Sequence, residues 1–215
     1  IAFDLPEAAD VEVRIFDVNL HRERPYDALE GEVRAFQPEV VGFSLRNMKV
    51  GMPHLHTDDF EPQRLAIERV RQVAPGVPVI AGGTAFSLYA EHMMRRLPGL
   101  HCGVWGEAEH RLPQLLDRLA TPWEVPGVYF RRDGQVRYSG DPPAVDFSSL
   151  APPRRDLVPL APYAESSFVS IGIQAKRGCE LKCLHCSDTF LAGKTVRMRD
   201  PRAIVDEMEV LVKEH

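Results

Sequence analysis

Four short apolar segments alternate with helical patterns in the first half of this chain, and that alternation constrains the fold more than any other feature. The segments are residues 11–18, 40–44, 77–81 and 100–105, and each contains valine, isoleucine or other strand-forming residues. Apolar residues at the spacing of an amphipathic helix follow each of them. Strands that alternate with helices predict an α/β domain with a doubly wound parallel sheet.

The predicted sheet is flavodoxin-like, a five-stranded form that needs one more strand and helix than the sequence contains. We expect the missing first strand to precede Ile1. Local signals mark the helix boundaries, since Pro38 and Pro75 end two helices, and Pro113 either kinks another helix or marks its start. Thr84 is a candidate N-cap for the helix that follows the third segment.

A β-hairpin and a linker follow the predicted sheet. Residues 128–130 and 136–138 flank Asp133-Gly134, a sequence typical of a tight hairpin turn. Residues 141–163 contain six prolines and little periodicity, which indicates an ordered linker.

The C-terminal part reads as the start of a second α/β domain. Residues 168–174 form a predicted strand, a cysteine-rich loop follows, and Asp200-Pro201 begins a helix. The order of elements predicts a Rossmann-like domain in residues 1–124, hairpin and linker in residues 125–165, and the first strand–helix unit of another domain in residues 166–215.

The composition excludes several classes of partner. A net charge of −5, with the positive residues scattered, gives no reason to expect nucleic-acid binding. No apolar run approaches the ~20 residues that span a bilayer, and the N-terminus lacks a signal-peptide pattern, so we expect no membrane partner. Three of the four cysteines are clustered, which favours a reducing, cytoplasmic compartment over a disulfide framework.

The clustered cysteines have the spacing C-x3-C-x2-C, at Cys179, Cys183 and Cys186. Three thiolates at this spacing can hold three corners of an iron–sulfur cube and leave its fourth iron open. Soft thiolates also select zinc, but a structural zinc site needs a fourth ligand. His185 is poorly placed to share a tetrahedron with the adjacent cysteine, and Cys102 lies on a strand of the other domain. Three cysteines that are merely buried are the remaining alternative.

This spacing resembles that of the radical S-adenosylmethionine (radical SAM) enzymes, and the resemblance implies that residues 166–215 are the start of a radical SAM domain, a partial (β/α) barrel. The resemblance implies that Cys179, Cys183 and Cys186 bind a 4Fe–4S cluster whose open iron takes the amine and carboxylate of S-adenosyl-L-methionine. It also implies an external electron donor of the flavodoxin or ferredoxin type. His185 stands where the family usually has an aromatic residue, and its imidazole can still stack on adenine.

A second candidate site lies at the carboxyl ends of the predicted parallel strands, where open sheets bind ligands. The residues there are Ser44-Leu45-Arg46-Asn47, Gly82-Gly83-Thr84 and Gly106-Glu107. Glycines allow the backbone to approach a bulky ligand closely. The alternative is that these glycines only form the tight turns which any doubly wound domain needs.

Together with the cysteine motif, this order of elements resembles the cobalamin-binding domain that precedes many radical SAM domains. The resemblance implies a corrinoid over the strand ends, with its nucleotide tail anchored by Ser44, Gly82, Gly83 and Thr84. Leu45, Arg46, Asn47, Gly106 and Glu107 complete the implied cofactor-binding set. The D-x-H-x-x-G motif, whose histidine ligates cobalt in other cobalamin domains, does not occur in this sequence.

Arg46 is the candidate catalytic residue. It extends from a strand end where the lower corrin face would lie, and a guanidinium occupies space without ligating cobalt. We hypothesise that Arg46 keeps the cobalt free of a protein ligand. An ion pair with Asp58, Asp59 or Glu61 is the alternative.

The resemblance implies a cobalamin-dependent radical SAM methyltransferase, which moves a methyl group from S-adenosyl-L-methionine via methylcobalamin to a carbon of a small-molecule substrate in natural-product biosynthesis. The S-L-R-N segment and the C-terminal unit are similar to the tryptophan 2-C-methyltransferases of thiopeptide biosynthesis. A radical SAM cyclase or ring-forming enzyme that uses cobalamin remains open, as does a non-catalytic corrinoid-binding module. A methylthiotransferase is disfavoured, because only Cys102 could hold a further cluster in the N-terminal domain.

Overall fold

The computed structural model describes residues 11–46, 60–165 and 171–214. These residues form two compact units. We call residues 16–143 the sheet unit, and residues 144–214 together with 11–15 the cysteine unit. Among the helices of these described stretches, none combines the length and the apolar character that crossing a bilayer requires.

A five-stranded mixed sheet forms the centre of the sheet unit, and its strands lie side by side in chain order. They are β1 (Val41–Ser44), β2 (Val79–Gly82), β3 (Cys102–Val104), β4 (Val128–Arg132) and β5 (Gln135–Tyr138). The first three strands are parallel, whereas β4 pairs antiparallel with β3 and β5 antiparallel with β4. The predicted α/β class is confirmed, and the hairpin extends the sheet.

Helices cover both faces of this sheet. They are α1 (Pro25–Phe36), α2 (Glu61–Val73), α3 (Thr84–Arg96) and α4 (Arg111–Leu116). Alternate residues of β2 point to opposite faces, as the pleat of a strand requires. Val79 and Ala81 pack in a core with residues of α1, α2 and α3, whereas Ile80 packs with Leu115 of α4 on the other face. The doubly wound arrangement is therefore confirmed.

The hairpin turn has the conformation that its sequence predicts. Asp133 and Gly134 both have positive φ, at 53° and 73°. Two consecutive residues with positive φ form a type I′ turn, whose twist matches the flanking strands. Pro113 also lies where predicted, in the first turn of α4.

The predicted strand at residues 11–18 is wrong. Residues 11–17 form no strand, and Val18–His21 is a short 3-10 helix. The Asp17 carboxylate accepts a hydrogen bond from the Asn19 N–H (2.9 Å), which turns the chain at this point. Within the described part of the sheet, β1 pairs with β2 alone. Residues 11–17 therefore have no ladder partner there, and strand propensity without a partner does not form a strand.

Besides two short 3-10 helices, the described residues of the cysteine unit form a small antiparallel pair of strands and three α-helices. They are β6 (Lys176–Arg177), β7 (Arg197–Met198), α5 (Ala161–Ala164), α6 (Asp188–Leu191) and α7 (Pro201–Glu214). The predicted start of α7 is confirmed, since the Asp200 carboxylate accepts a hydrogen bond from the Arg202 N–H (3.0 Å).

The strand predicted at residues 168–174 lies partly outside the described residues, because residues 166–170 are not among them. Its described part, residues 171–174, is not a strand, so the prediction is wrong there. Strand pairing begins only at Lys176, opposite Met198. Gly172 lies within this segment, and glycine weakens a strand because it has no side chain to pack.

Candidate functional site

Backbone hydrogen bonds join the ends of β1 and β2. The Leu45 N–H donates to the Gly82 carbonyl (2.8 Å), and the Leu45 carbonyl accepts from the Ala85 N–H (2.8 Å). The first bond continues the β1–β2 ladder by one residue, and the second ties the chain after β1 to the first turn of α3. Two of the predicted cofactor-binding segments are therefore adjacent.

Gly83 lies at the point of closest approach between these segments. Its φ is +92°, and a methyl group added there would lie 2.6 Å from the Leu45 carbonyl oxygen and 2.9 Å from the Leu45 nitrogen. Gly83 is also the N-cap residue of α3. The prediction that Thr84 caps this helix is therefore wrong, because Thr84 is already its first helical residue and only glycine can occupy the cap position here.

Ser87 joins the β2–α3 turn to the β3–α4 turn, and the sequence analysis missed it. Its hydroxyl donates to the Gly83 carbonyl (2.9 Å) and accepts from the Gly106 N–H (2.8 Å), and Ser87 itself is buried. The two glycine turns are thus held together by one side chain. A serine one turn inside an otherwise apolar helix face is the signal that could have identified it.

We expect Ser87→Ala to weaken both the sheet unit and its cofactor site. The substitution leaves the partly buried Gly106 N–H without this acceptor, a loss of about 1–3 kcal/mol in the free energy of unfolding. Urea denaturation and a cobalamin titration measure the two effects. Tyr89→Phe is the matched control, since it removes a hydroxyl from an exposed residue of the same helix that has no proposed role in binding, and an equal loss in both variants would contradict the role of Ser87.

The remaining predicted residues at this edge differ in exposure. Ser44, Arg46 and Thr84 are exposed, whereas Leu45 and Glu107 are half-buried. Asn47 lies outside the described residues. The exposed Ser44 hydroxyl and the two glycine turns leave this edge of the sheet lined by backbone, which fits a broad ligand such as a corrinoid.

The alternative partners of Arg46 are only partly described. Asp58 and Asp59 lie outside the described residues. Glu61 lies 3.9 Å from Arg64 in its own helix. The hypothesis that Arg46 faces the cofactor therefore stays a prediction.

A buried arginine, Arg111, is hydrogen-bonded to the backbone of the β3–α4 turn. Arg111 donates through Nη2 to the Trp105 carbonyl (3.1 Å), and its Nε has no hydrogen-bond partner in the described structure. Burial lowers the pKa of Arg111, while Glu109 and Glu107 act in the opposite direction. The backbone just before Gly106 and Glu107 is therefore hydrogen-bonded to a buried guanidinium. No sequence pattern predicted this contact.

The cysteines fall into two environments. Cys102 on β3 is fully buried, and burial raises the pKa of its thiol to about 12, so it stays protonated. Cys179 and Cys186 are half-buried and Cys183 is exposed, and all of them are free thiols. His185 is exposed beside them. The prediction that Cys102 lies on a strand apart from the other cysteines is confirmed.

The chemistry of the cysteine loop fits an iron–sulfur cluster. Three soft donors lie in one short loop and each is accessible, as cluster ligands need to be. In the stretches that the structure describes, no three His, Cys, Asp or Glu side chains already converge as a metal site. The loop therefore supplies the required donors, and their convergence on a cluster stays a prediction.

Comparison with known families identifies the N-terminal part of the chain. The B12 binding domain family matches residues 4–116. This range contains β1, β2, β3 and the three strand ends described above.

Curated relatives cover almost the whole chain at low identity. An uncharacterized methyltransferase of Pyrococcus horikoshii is 24% identical over 95% of this chain and 43% of its own length. An anaerobic magnesium-protoporphyrin IX monomethyl ester cyclase of Rubrivivax gelatinosus is 22% identical over 88% of this chain and 34% of its own length. A tryptophan 2-C-methyltransferase of Streptomyces laurentii is 24% identical over 95% and 42%. The chain thus spans less than half the length of these relatives.

Solved structures share the fold. The radical S-adenosylmethionine methyltransferase TsrM from Kitasatospora setae, with tryptophan and a SAM analogue bound, matches with a TM-score of 0.71 at 24% identity. A second TsrM structure, with cobalamin and a 4Fe–4S cluster bound, matches with a TM-score of 0.72 at 22% identity. Both matches cover 97% of this chain and 41% of the TsrM chain.

Proposed function

The chain belongs to the B12-binding domain family, and from this premise we propose that it is part of a cobalamin-dependent radical SAM methyltransferase. The enzyme moves a methyl group from S-adenosyl-L-methionine, by way of the corrinoid, to a carbon of a small-molecule substrate. One observation carries the proposal: a loop with three free, accessible thiols at C-x3-C-x2-C spacing lies on the same chain as a B12-binding fold.

The proposed division of the chain follows the two candidate sites. Residues 1–124 bind cobalamin, residues 125–165 comprise the hairpin that extends the sheet and the linker, and residues 166–215 begin the radical SAM domain. When bound, the corrinoid supplies a methyl carrier and the cluster supplies an electron to S-adenosyl-L-methionine. The protein's own residues hold and orient these groups.

The proposed binding residues form two groups, one for the corrinoid and one for the cluster with S-adenosyl-L-methionine. The Ser44 hydroxyl and the backbone of the glycine turns hold the nucleotide tail of the corrinoid, and Ser87 keeps those turns together. The residues that complete this site are Leu45, Asn47, Gly82, Gly83, Thr84, Gly106 and Glu107. In the cysteine loop, Cys179, Cys183 and Cys186 bind the cluster, and His185 stacks on the adenine of S-adenosyl-L-methionine.

Arg46 occupies the space below the corrin ring in this proposal. A guanidinium stays protonated and is a poor ligand, so it leaves the cobalt without a protein ligand on that face. Because an unligated face favours release of the methyl group, Arg46→Ala changes both the absorption spectrum of the bound cobalamin and the rate of transfer. An unchanged spectrum with equal turnover would remove this role.

The accessory partners follow from the same chemistry. The cluster requires an external one-electron donor of flavodoxin or ferredoxin type. A reducing cytoplasmic compartment protects both the cluster and the corrinoid from oxidation. The family resemblance suggests an acceptor in natural-product biosynthesis, with an indole carbon as the first substrate to test. This last choice is motivated by the tryptophan 2-C-methyltransferase among the relatives.

A radical SAM cyclase that uses cobalamin is the second candidate. The anaerobic magnesium-protoporphyrin IX monomethyl ester cyclases among the relatives favour it. The two functions differ in the fate of the methyl group, because a cyclase does not pass it to the product.

A labelling experiment tests the proposal. The full-length protein is reconstituted anaerobically with iron, sulfide and cobalamin, and then given a one-electron donor, tryptophan and S-adenosyl-L-methionine labelled in its methyl group. The proposal predicts label on the corrinoid and then on the acceptor. 5′-Deoxyadenosine without label on the corrinoid would favour the cyclase, and no consumption of S-adenosyl-L-methionine would favour a non-catalytic corrinoid-binding module.

A further inference from the structure

The backbone closes the cysteine loop (residues 179–193) at its base. Arg177 and Arg197 are paired in the β6–β7 ladder, and the Cys179 N–H donates to the Gly193 carbonyl (3.2 Å). Gly178 has a φ of +84° and lies against the Thr195 carbonyl so closely that a side chain could not fit. The paired strands β6 and β7 form the base of the loop, which we call its stem. Cys179, the first cysteine, is therefore fixed next to this stem.

The last cysteine is bonded within the loop, since the Cys186 N–H donates to the Cys183 carbonyl (3.2 Å), and Arg197 supplies an indirect link to the stem. Cys186 is followed by Ser187 and then by α6, a helix of four residues whose final carbonyls need partners from outside the helix. The Arg197 guanidinium donates through Nη2 to the carbonyl of Ala192, the C-cap residue of α6 (2.8 Å). The side of the loop that carries Cys186 is thereby tied to the same stem as Cys179.

The same guanidinium also ties the loop to the segment that begins the cysteine unit. Nη1 of Arg197 donates to the Val145 carbonyl (2.7 Å). Two residues further on, the buried Phe147 ring lies under the Arg177 guanidinium, 4.5 Å from the ring centre. Residues 145–147 thus contact both strands of the stem, β7 through Arg197 and β6 through Arg177.

We propose that Arg197 is a positioning residue which holds the cysteine loop in a form that accepts the cluster before the cluster binds. The inference rests on the proposed cluster at Cys179, Cys183 and Cys186. Arg197 reduces the conformational freedom that must be lost when the three thiols converge, because its guanidinium fixes the C-terminal side of the loop, at Ala192, to residues 145–147, on which Arg177 also packs. Cys183, which is exposed, is the ligand that then moves to complete the site.

Substitution of Arg197 in the full-length protein tests this role. Arg197→Ala removes both donors, whereas Arg197→Lys keeps the charge without the planar fork that reaches two carbonyls. Arg202→Ala, which removes an exposed arginine of α7, is the matched control. The measurements are amide hydrogen exchange of residues 179–193 without metal, and an anaerobic iron and sulfide titration at a temperature where thermal melts show every variant folded.

We expect Arg197→Ala to raise amide exchange in the loop and to weaken cluster uptake, each by about tenfold or more, because it removes two hydrogen bonds from a charged donor. Arg197→Lys is expected to lie between Arg197→Ala and the wild type in both measurements. If the alanine variant does not fold, the comparison of Arg197→Lys with the wild type tests the role of Arg197. Exchange and uptake equal to those of Arg202→Ala would overturn the role of Arg197. A wild-type protein that binds no iron would instead remove the proposed function.

Discussion

Gly83→Ala is expected to cause a large loss of stability in the sheet unit, together with loss of cobalamin binding. The backbone of Gly83 has φ +92° and ψ 176°, a region that residues with side chains avoid at a cost of about 1–3 kcal/mol. The added methyl would also meet the Leu45 carbonyl oxygen at 2.6 Å, and backbone atoms cannot move aside cheaply. We therefore expect a total loss of about 3 kcal/mol or more in the free energy of unfolding.

The functional consequence follows from the hydrogen bonds around Gly83. Leu45 is bonded to Gly82 and Ala85, and the Gly83 carbonyl accepts from the Ser87 hydroxyl, so a shift of Leu45 disturbs all three strand ends. Cobalamin affinity is expected to fall by about tenfold or more at temperatures where the variant remains folded, since each 1.4 kcal/mol of lost binding energy is a factor of ten. Urea denaturation and a cobalamin titration measure these effects.

Gly76→Ala is the matched control for this prediction. Gly76 has nearly the same φ, +93°, but no atom would lie within 4 Å of its added methyl group. This variant should lose only the cost of the backbone conformation, about 1–3 kcal/mol and less than Gly83→Ala, and should keep its cobalamin affinity. Equal losses in the two variants would show that the contact with Leu45 is unimportant.

Glu207→Gln is expected to destabilise the cysteine unit strongly. The Glu207 carboxylate lies 2.6 Å from Arg155 and 2.6 Å from Arg199, and Glu207 and Arg199 are each only 6% exposed. Removing the one anion leaves two guanidiniums together, one of them buried, and breaking a buried pair in this way costs about 3–5 kcal/mol. Glu209→Gln on the same helix is the control, because its exposed pair with Lys213 (3.4 Å) is worth at most about 1 kcal/mol.

The pH dependence provides an independent check on Glu207. Burial raises the pKa of its carboxyl, but the hydrogen bonds from Arg155 and Arg199 outweigh burial and hold the pKa below its ordinary value. A lowered pKa in the folded state means that the stabilisation is present above the unfolded pKa of about 4.3 and is lost as the pH falls through the folded value. The stability difference between wild type and Glu207→Gln should therefore shrink below about pH 4, and a difference that grows on acidification would contradict this assignment.

Local patterns carried much of the fold prediction. The strands at residues 41–44 and 79–82 are short apolar runs next to turn signals, and α7 begins directly after Asp200 because capping depends only on neighbouring residues. Residues 11–17 have the same strand-forming composition and are not a strand, because pairing depends on a partner that the local pattern does not reveal.

Only two groups of candidate-site residues could be predicted from the sequence. They are the residues at the strand ends and the cysteines of the C-x3-C-x2-C motif. The glycine turns and the cysteine spacing are visible in the sequence. Ser87 is visible only as a polar residue on an apolar helix face. Its partners, like those of Arg111 and Arg197, are not visible, because they are carbonyls or amides that lie near these side chains only after the chain has folded. Thr84 was assigned to the cap by residue type, whereas contact with Leu45 decides that position.

The most direct test of the account is to count both cofactors on the same chain. We predict about four irons, one iron–sulfur cube, and one corrinoid per wild-type chain after anaerobic reconstitution. Cys183→Ala should lose most of the iron and keep the corrinoid, whereas Cys102→Ala, which removes the buried thiol of β3, should keep both. Zinc in place of iron in the wild type, or full iron retention in Cys183→Ala, would contradict the account.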